Sequence, residues 1–169
     1  MTFLFAMWAL GLASASTVAV TGATGKLGRC AVAQLVAEGH EVRCLVRRAP
    51  SGSGSRASEE PGEVAAWLAS LGAELLQGDV TDATAVRRLL KGCRFCLALH
   101  GAKRFTKASD WLPWVDESRE PSHGRQVNCE AVELLLKVAE EEGCERLVRV
   151  TGKARYAYRI HDMKKIIHI

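Results

Sequence analysis

The sequence predicts an α/β fold: a doubly wound parallel sheet of about five strands with helices on both faces. Two observations predict it. Strand and helix signals alternate along the chain. A glycine-rich stretch, Thr21-Gly22-Ala23-Thr24-Gly25-Lys26-Leu27-Gly28, lies where the first strand hands over to the first helix. Right-handed crossovers restrict the topology strongly, and the strand order expected is 3-2-1-4-5. That order opens a crevice between the first and fourth strands, above the glycine stretch.

Each element has its own signal. The β-branched run at Thr17–Thr21 reads as the first strand. Gly25–Glu38 reads as a helix, with Leu27, Ala31 and Leu35 four residues apart on one face, and Gly39 stops it. Glu41–Val46 is the second strand, and Arg47–Glu60, rich in Ser, Gly and Arg, is a loop. Pro61 suits the first turn of a short helix to Leu71, with Gly72 at its end. Glu74–Gln77 is the third strand. Asp82–Leu90 is a helix capped by Thr81 or Asp82. Phe95–Leu99 is the fourth strand, and residues 101–122 form a long connection holding Trp111 and Trp114. Gly124–Glu142 reads as one long helix and Glu145–Val150 as the fifth strand.

The glycines carry a chemical message. Gly22 can take turn angles that a Cβ obstructs. Gly25 lets the main chain approach a pyrophosphate, and Gly28 lets the helix pack close to the strand. The helix N-terminus supplies N–H groups and partial positive charge to phosphates. The alternative is a glycine-rich turn that holds no ligand, against which the flanking strand and helix argue.

Composition narrows the function. With 169 residues, the chain is long enough for one domain with a real core. It is 48% hydrophobic and 25% charged, an ordinary soluble composition. A net charge of +4, spread among acids, leaves no nucleic-acid footprint. The apolar run Phe3–Ala13 is too short for a stable membrane span. Small residues follow at Ala13-Ser14-Ala15, but no basic residue precedes Lys26. Residues 1–15 therefore read as a secretory or organelle-targeting segment, a misassigned start, or an ordered extension. Cys30, Cys44 and Cys129 fall in helix and strand patterns, where small buried hydrophobes are expected. Cys93 and Cys96 have C-x-x-C spacing without a second ligand pair, so packing is expected there, with no metal.

With these residues in place, the chain resembles the atypical or extended short-chain dehydrogenase/reductases, close to the NmrA-like NAD(P)-binding group. The resemblance spans about residues 17–152. It rests on the glycine stretch, then Val42-Arg43-Cys44-Leu45-Val46-Arg47-Arg48 and Gln77-Gly78-Asp79-Val80-Thr81-Asp82. Val127-Asn128 and Glu145-Arg146-Leu147-Val148-Arg149-Val150-Thr151 complete it. It implies a Rossmann-type domain at 16–152 and a tail at 153–169, C-terminally truncated relative to the family. It also implies a nicotinamide dinucleotide held by Gly22, Thr24, Gly25, Lys26, Leu27 and Gly28.

Arg47 and Arg48 stand about 20 residues past the glycine motif, where an NAD enzyme offers an acid to the ribose 2′-OH. Guanidinium forks there suit a 2′-phosphate, which favours NADP(H) over NAD(H), with Lys26 as helper; the alternative is solvated loop charge. In similar proteins the acid of Gly-Asp-Val meets the adenine amino group, which places Asp79 and the Val80 backbone there; a turn or cap is the alternative. His100 and Gly101 end the fourth strand beside the expected ribose, where His100 is equally suited to a structural role. Asn128 matches an asparagine that steadies backbone near the active site. Thr151 matches a catalytic Ser or Thr and is the candidate for orienting a substrate carbonyl.

The family's Tyr-x-x-x-Lys pair is absent. Tyr156 is followed four residues later by Ile160, and Tyr158 by Asp162. Two functions compete: a reductase-like NADP(H) domain acting on a small carbonyl or alkene, and a non-catalytic NADP(H)-binding sensor or assembly factor. Epimerase or dehydratase chemistry needs the same missing pair. The Trp111/Trp114 loop and the tail are candidate surfaces for a protein partner. The fifth strand needs cover for its outer edge, from the tail or from a partner.

Overall fold

In the computed structural model, residues 15–47, 61–101 and 126–150 are described, together with the backbone of 155–159 and 167–168. The strands are β1 (Thr17–Thr21), β2 (Glu41–Val46), β3 (Glu74–Gln77), β4 (Phe95–Ala98), β5 (Arg146–Val150), β6 (Arg155–Arg159) and β7 (Ile167–His168). The helices are α1 (Lys26–Ala37), α2 (Pro61–Ser70), α3 (Ala83–Leu90) and α4 (Ala131–Glu141), the last preceded by a π-turn at Gln126–Glu130.

The sheet order is β3-β2-β1-β4-β5-β6-β7. The first five strands pair in parallel, in the order the sequence predicts. β6 turns back antiparallel on β5, with Leu147 opposite Tyr158 and Val148 opposite Ala157, and β7 pairs antiparallel with β6. The tail thus supplies the cover that the β5 edge requires.

Alternation along the strands builds two cores. Val18, Val20, Cys44, Phe95, Leu97 and Val148 face Ala31, Val32 and Leu35 of α1 and Val64 and Leu68 of α2. Ala19, Leu45, Cys96, Ala98 and Leu147 face Val86, Leu89 and Leu90 of α3 and Leu135 and Val138 of α4. Burying both faces is what parallel strands require. Asp82 is the cap of α3: its side chain accepts from Thr84 N, which satisfies a first-turn donor. Gly78 permits α3 to lie on the sheet, since a Cβ there would stand 2.4 Å from Ala85 Cβ.

Three expectations change. The helix foreseen from Gly124 is regular only from Ala131, with a π-turn before it. Cys30 is exposed because it lies off the apolar stripe of α1, and Cys129 is exposed on the π-turn, which buries none of its residues; Cys44, Cys93 and Cys96 are buried. Burial alone pushes the Cys44 thiol up to about 12, so it behaves as a small hydrophobe. Cys93 Sγ donates to Leu89 O at 3.1 Å, and Cys144 Sγ to Cys93 O at 3.0 Å, which are packing roles. Among the described residues no helix is long and apolar enough to cross a membrane.

Candidate functional site

The glycine stretch forms the turn between β1 and α1. Gly22 has φ +74° and lies against the end of β4; a Cβ there would sit 2.5 Å from His100 N and 2.6 Å from Leu99 C. Gly25 N donates to Gly22 O at 3.0 Å, closing the turn, and Arg29 N donates to Gly25 O at 2.9 Å, opening the helix. Gly28 faces back on the turn: its Cβ would meet Gly22 O at 2.2 Å and Ala23 Cα at 2.7 Å. Only glycine allows these approaches at 22 and 28. At Gly25 φ is −73°, and a Cβ would meet only Gly22 O, at 3.2 Å, a tight contact that asks the turn to give by a few tenths of an ångström, so packing restrains this position less than 22 and 28.

Thr24 and Lys26 are exposed, and Leu27 is half-buried. The first turn of α1 contains no acid of its own, so the helix does not itself offset the positive end of its dipole. Arg47, directly after β2, is exposed; Arg48 lies outside the described residues. Past β3, Asp79 Oδ1 accepts from Thr81 N at 3.0 Å and from Thr81 Oγ1 at 2.8 Å, the turn role that the sequence left open. Val80 is half-buried beside it. Loop, Arg47 and Asp79 therefore follow the C-terminal ends of β1, β2 and β3, three adjacent strands.

The other wall belongs to β4 and β5. His100 is buried, with Nδ1 2.7 Å from Thr21 Oγ1. Its Nε2 is 3.1 Å from Val127 O and 3.0 Å from Arg149 Nη1. Burial, then the Arg149 charge, lowers its pKa from 6.5 to about 4, so the ring is neutral at pH 7. Arg149 Nη2 donates to Asn128 Oδ1 at 3.4 Å, and a Cβ on Gly101 would lie 3.9 Å from that oxygen. Asn128 itself is exposed on the π-turn. Thr151, Trp111, Trp114 and residues 1–14 lie outside the described residues.

Sequence reasoning missed Thr21 and Arg149. The visible signal was an arginine within the apolar run of β5, two residues past Leu147 on the same face. It also missed a groove of about 610 Å3 between α1 and α2, which Lys26, Arg29 and exposed Trp67 help to line. Trp67 lies at the edge of the stripe set by buried Val64, Ala65 and Leu68.

This geometry has counterparts in known proteins. Residues 22–160 match a family described as NAD(P)H-binding. A chloroplastic divinyl chlorophyllide a 8-vinyl-reductase of Zea mays is 45% identical over 74 residues, which is 44% of this chain and 17% of that protein. The Oryza sativa subsp. indica protein of the same description is 46% identical over the same length. A short-chain dehydrogenase/reductase superfamily structure from Agrobacterium tumefaciens, with bound NAD, is 26% identical with a TM-score of 0.53; 79% of this chain and 31% of that one superpose. The structure of NmrA, a negative transcriptional regulator, in complex with NADP shares the fold at 18% identity and a TM-score of 0.54, over 80% of this chain and 33% of that one. The chain thus spans less than a fifth of the plant proteins and about a third of these structures.

Proposed function

Because the chain belongs to the NAD(P)H-binding family, with the fold of NmrA and of short-chain dehydrogenase/reductases, we propose that it is a reductase-like domain holding NADP(H), formed by residues 16–152. The observation that carries this is the loop itself. Gly22 and Gly28 are required by packing, whereas a Cβ at Gly25 would meet a single atom, Gly22 O at 3.2 Å, so a ligand lying against the backbone is the stronger reason for glycine there. The fit extends outward from there. Gly22, Thr24, Gly25, Lys26, Leu27 and Gly28 supply amides and charge for the pyrophosphate. Arg47, with Arg48 and Lys26, meets the 2′-phosphate, while Asp79 and the Val80 backbone serve the adenine. His100 and Gly101 form the wall at the ribose.

When bound, the nicotinamide supplies a hydride. The chain's own residues bind and orient. Arg47 neutralises the 2′-phosphate by charge-assisted bonds. Thr151 is the candidate to orient a substrate carbonyl. The plant relatives are named as vinyl reductases, which supports an alkene as well as a small carbonyl as acceptor.

A second reading, a non-catalytic NADP(H) sensor or assembly factor, rests on a specific observation. No tyrosine of the chain has a lysine four residues on, and the buried imidazole of His100 is engaged by Thr21 and Arg149. Loss of NADPH absorbance with a panel of alkenes and carbonyls separates the two: turnover above background excludes the sensor. Arg47→Glu tests the 2′-phosphate assignment. Losing a charge-assisted bond of about 1.5–3 kcal/mol weakens NADPH binding at least about tenfold and leaves NADH binding nearly unchanged; an equal loss for both refutes the assignment. The chloroplastic relatives also support residues 1–15 as an organelle-targeting segment, which N-terminal sequencing of the mature protein checks.

A further inference from the structure

Thr21 ends β1, Arg149 lies in β5, and between them β4 runs up to His100. In register, Thr21 pairs with Ala98 and Ala98 with Arg149, so one row of the sheet carries polar groups on both sides of β4. His100, two residues further up, reaches both. Its backbone is also what Gly22 packs against. Any shift of His100 is therefore passed directly to the glycine turn, by the ring through Thr21 and by the main chain through Gly22.

The two contacts at Nε2 cannot both be hydrogen bonds. Arg149 has only donors, so bonding Nη1 requires a lone pair on Nε2; bonding Val127 O requires a proton there. The guanidinium is buried and its donors need acceptors, and a charge-assisted bond is the stronger of the two. A neutral ring with a lone pair on Nε2 carries its proton on Nδ1, and that proton is then donated to Thr21 Oγ1 at 2.7 Å.

We propose that Arg149 is a positioning residue for the dinucleotide loop: it donates to His100 Nε2, fixes the Nδ1–H tautomer, and through the Nδ1–H···Thr21 bond holds the end of β1 and Gly22 in place. The same guanidinium reaches Asn128 Oδ1, so the π-turn on the far wall is tied to the loop by one side chain. The effect on NADP(H) binding rests on the function proposed above; the tautomer and the loop geometry do not.

The test is 15N NMR of the full chain labelled at histidine and glycine, without ligand. The native His100 shows a protonated Nδ1 and an unprotonated Nε2. Arg149→Met removes the donor, moves the proton to Nε2 where Val127 O accepts it, and shifts the Gly22 and Gly25 amide signals. Arg149→Lys restores the native tautomer and returns those signals toward their native positions. NADPH affinity follows the same order, falling severalfold in R149M and recovering in R149K. A native Nε2–H tautomer overturns the proposal, and so does an R149M protein with unchanged tautomer and loop signals. If R149M does not fold, the native tautomer alone decides. Absence of NADPH binding to the native chain refutes the proposed function and leaves the tautomer readout standing.

Discussion

Gly28→Ala puts the packing of the loop to a direct test. Alanine is the better helix former, by about 1 kcal/mol in a helix interior. By propensity alone the change stabilises α1. The structure opposes it: the new methyl would lie 2.2, 2.7 and 2.8 Å from Gly22 O, Ala23 Cα and Ala23 C. All three are backbone atoms of a hydrogen-bonded turn, so no side-chain rotation relieves the clash. Overpacking of this kind costs about 1–3 kcal/mol, and three backbone contacts place it at the upper end. The net expectation is a loss of about 2 kcal/mol, or roughly 4–8 °C in Tm for a chain of this size. Gly25→Ala is the internal comparison. Its φ of −73° suits any residue and its one contact is 3.2 Å, so the loss stays below about 1 kcal/mol, the scale of a weakened N-cap. Thermal unfolding of both variants followed by circular dichroism decides. If G28A is as stable as the native chain, or G25A is the less stable of the two, the close-approach argument is wrong.

Two further predictions follow from other parts of the fold. His100 has a lower pKa folded, about 4, than its ordinary value of 6.5, so the unfolded chain binds the extra proton first. Its contribution is fully present above pH 6.5 and is lost as pH falls to about 4, on the order of 3 kcal/mol in all; denaturant titrations across that window show the slope in the native chain and a smaller one in His100→Gln, and equal slopes contradict the assignment. Asp82→Ala removes the bond to Thr84 N and lowers stability by about 1 kcal/mol, read from the denaturation midpoint; no change refutes the capping role.

The fold was legible because each local signal agreed with the whole. The runs at 17–21, 41–46 and 74–77 became strands with those bounds, since β-branched and apolar runs between turn residues have few other uses. The right-handed crossover rule then narrowed the topologies, and the dinucleotide-binding order 3-2-1-4-5 was the one expected among them. Gly22 and Gly28 were readable for the same reason: their spacing fits one backbone path. The start of α4 was not, because Gln126–Glu130 has no helix-breaking residue, and a π-turn differs from an α-turn only in its bonding. The exposure of Cys30 was missed because cysteine suits either side of a helix and only the phase of the stripe decides, and that of Cys129 because it falls on the unforeseen π-turn. Arg149 and Thr21 escaped because a buried polar pair is defined by partners distant in sequence. Nothing local to β1 announces that Thr21 bonds a histidine 79 residues away.

Isothermal titration calorimetry of NADPH and NADH against the native chain and G25A tests the central claim most directly. NADPH is expected to bind the native chain more tightly than NADH does, and G25A, still folded, is expected to lose most of its affinity for both. Equal or preferential binding of NADH removes the role given to Arg47, and NADPH binding that survives unchanged in G25A contradicts the claim that a dinucleotide lies against this loop.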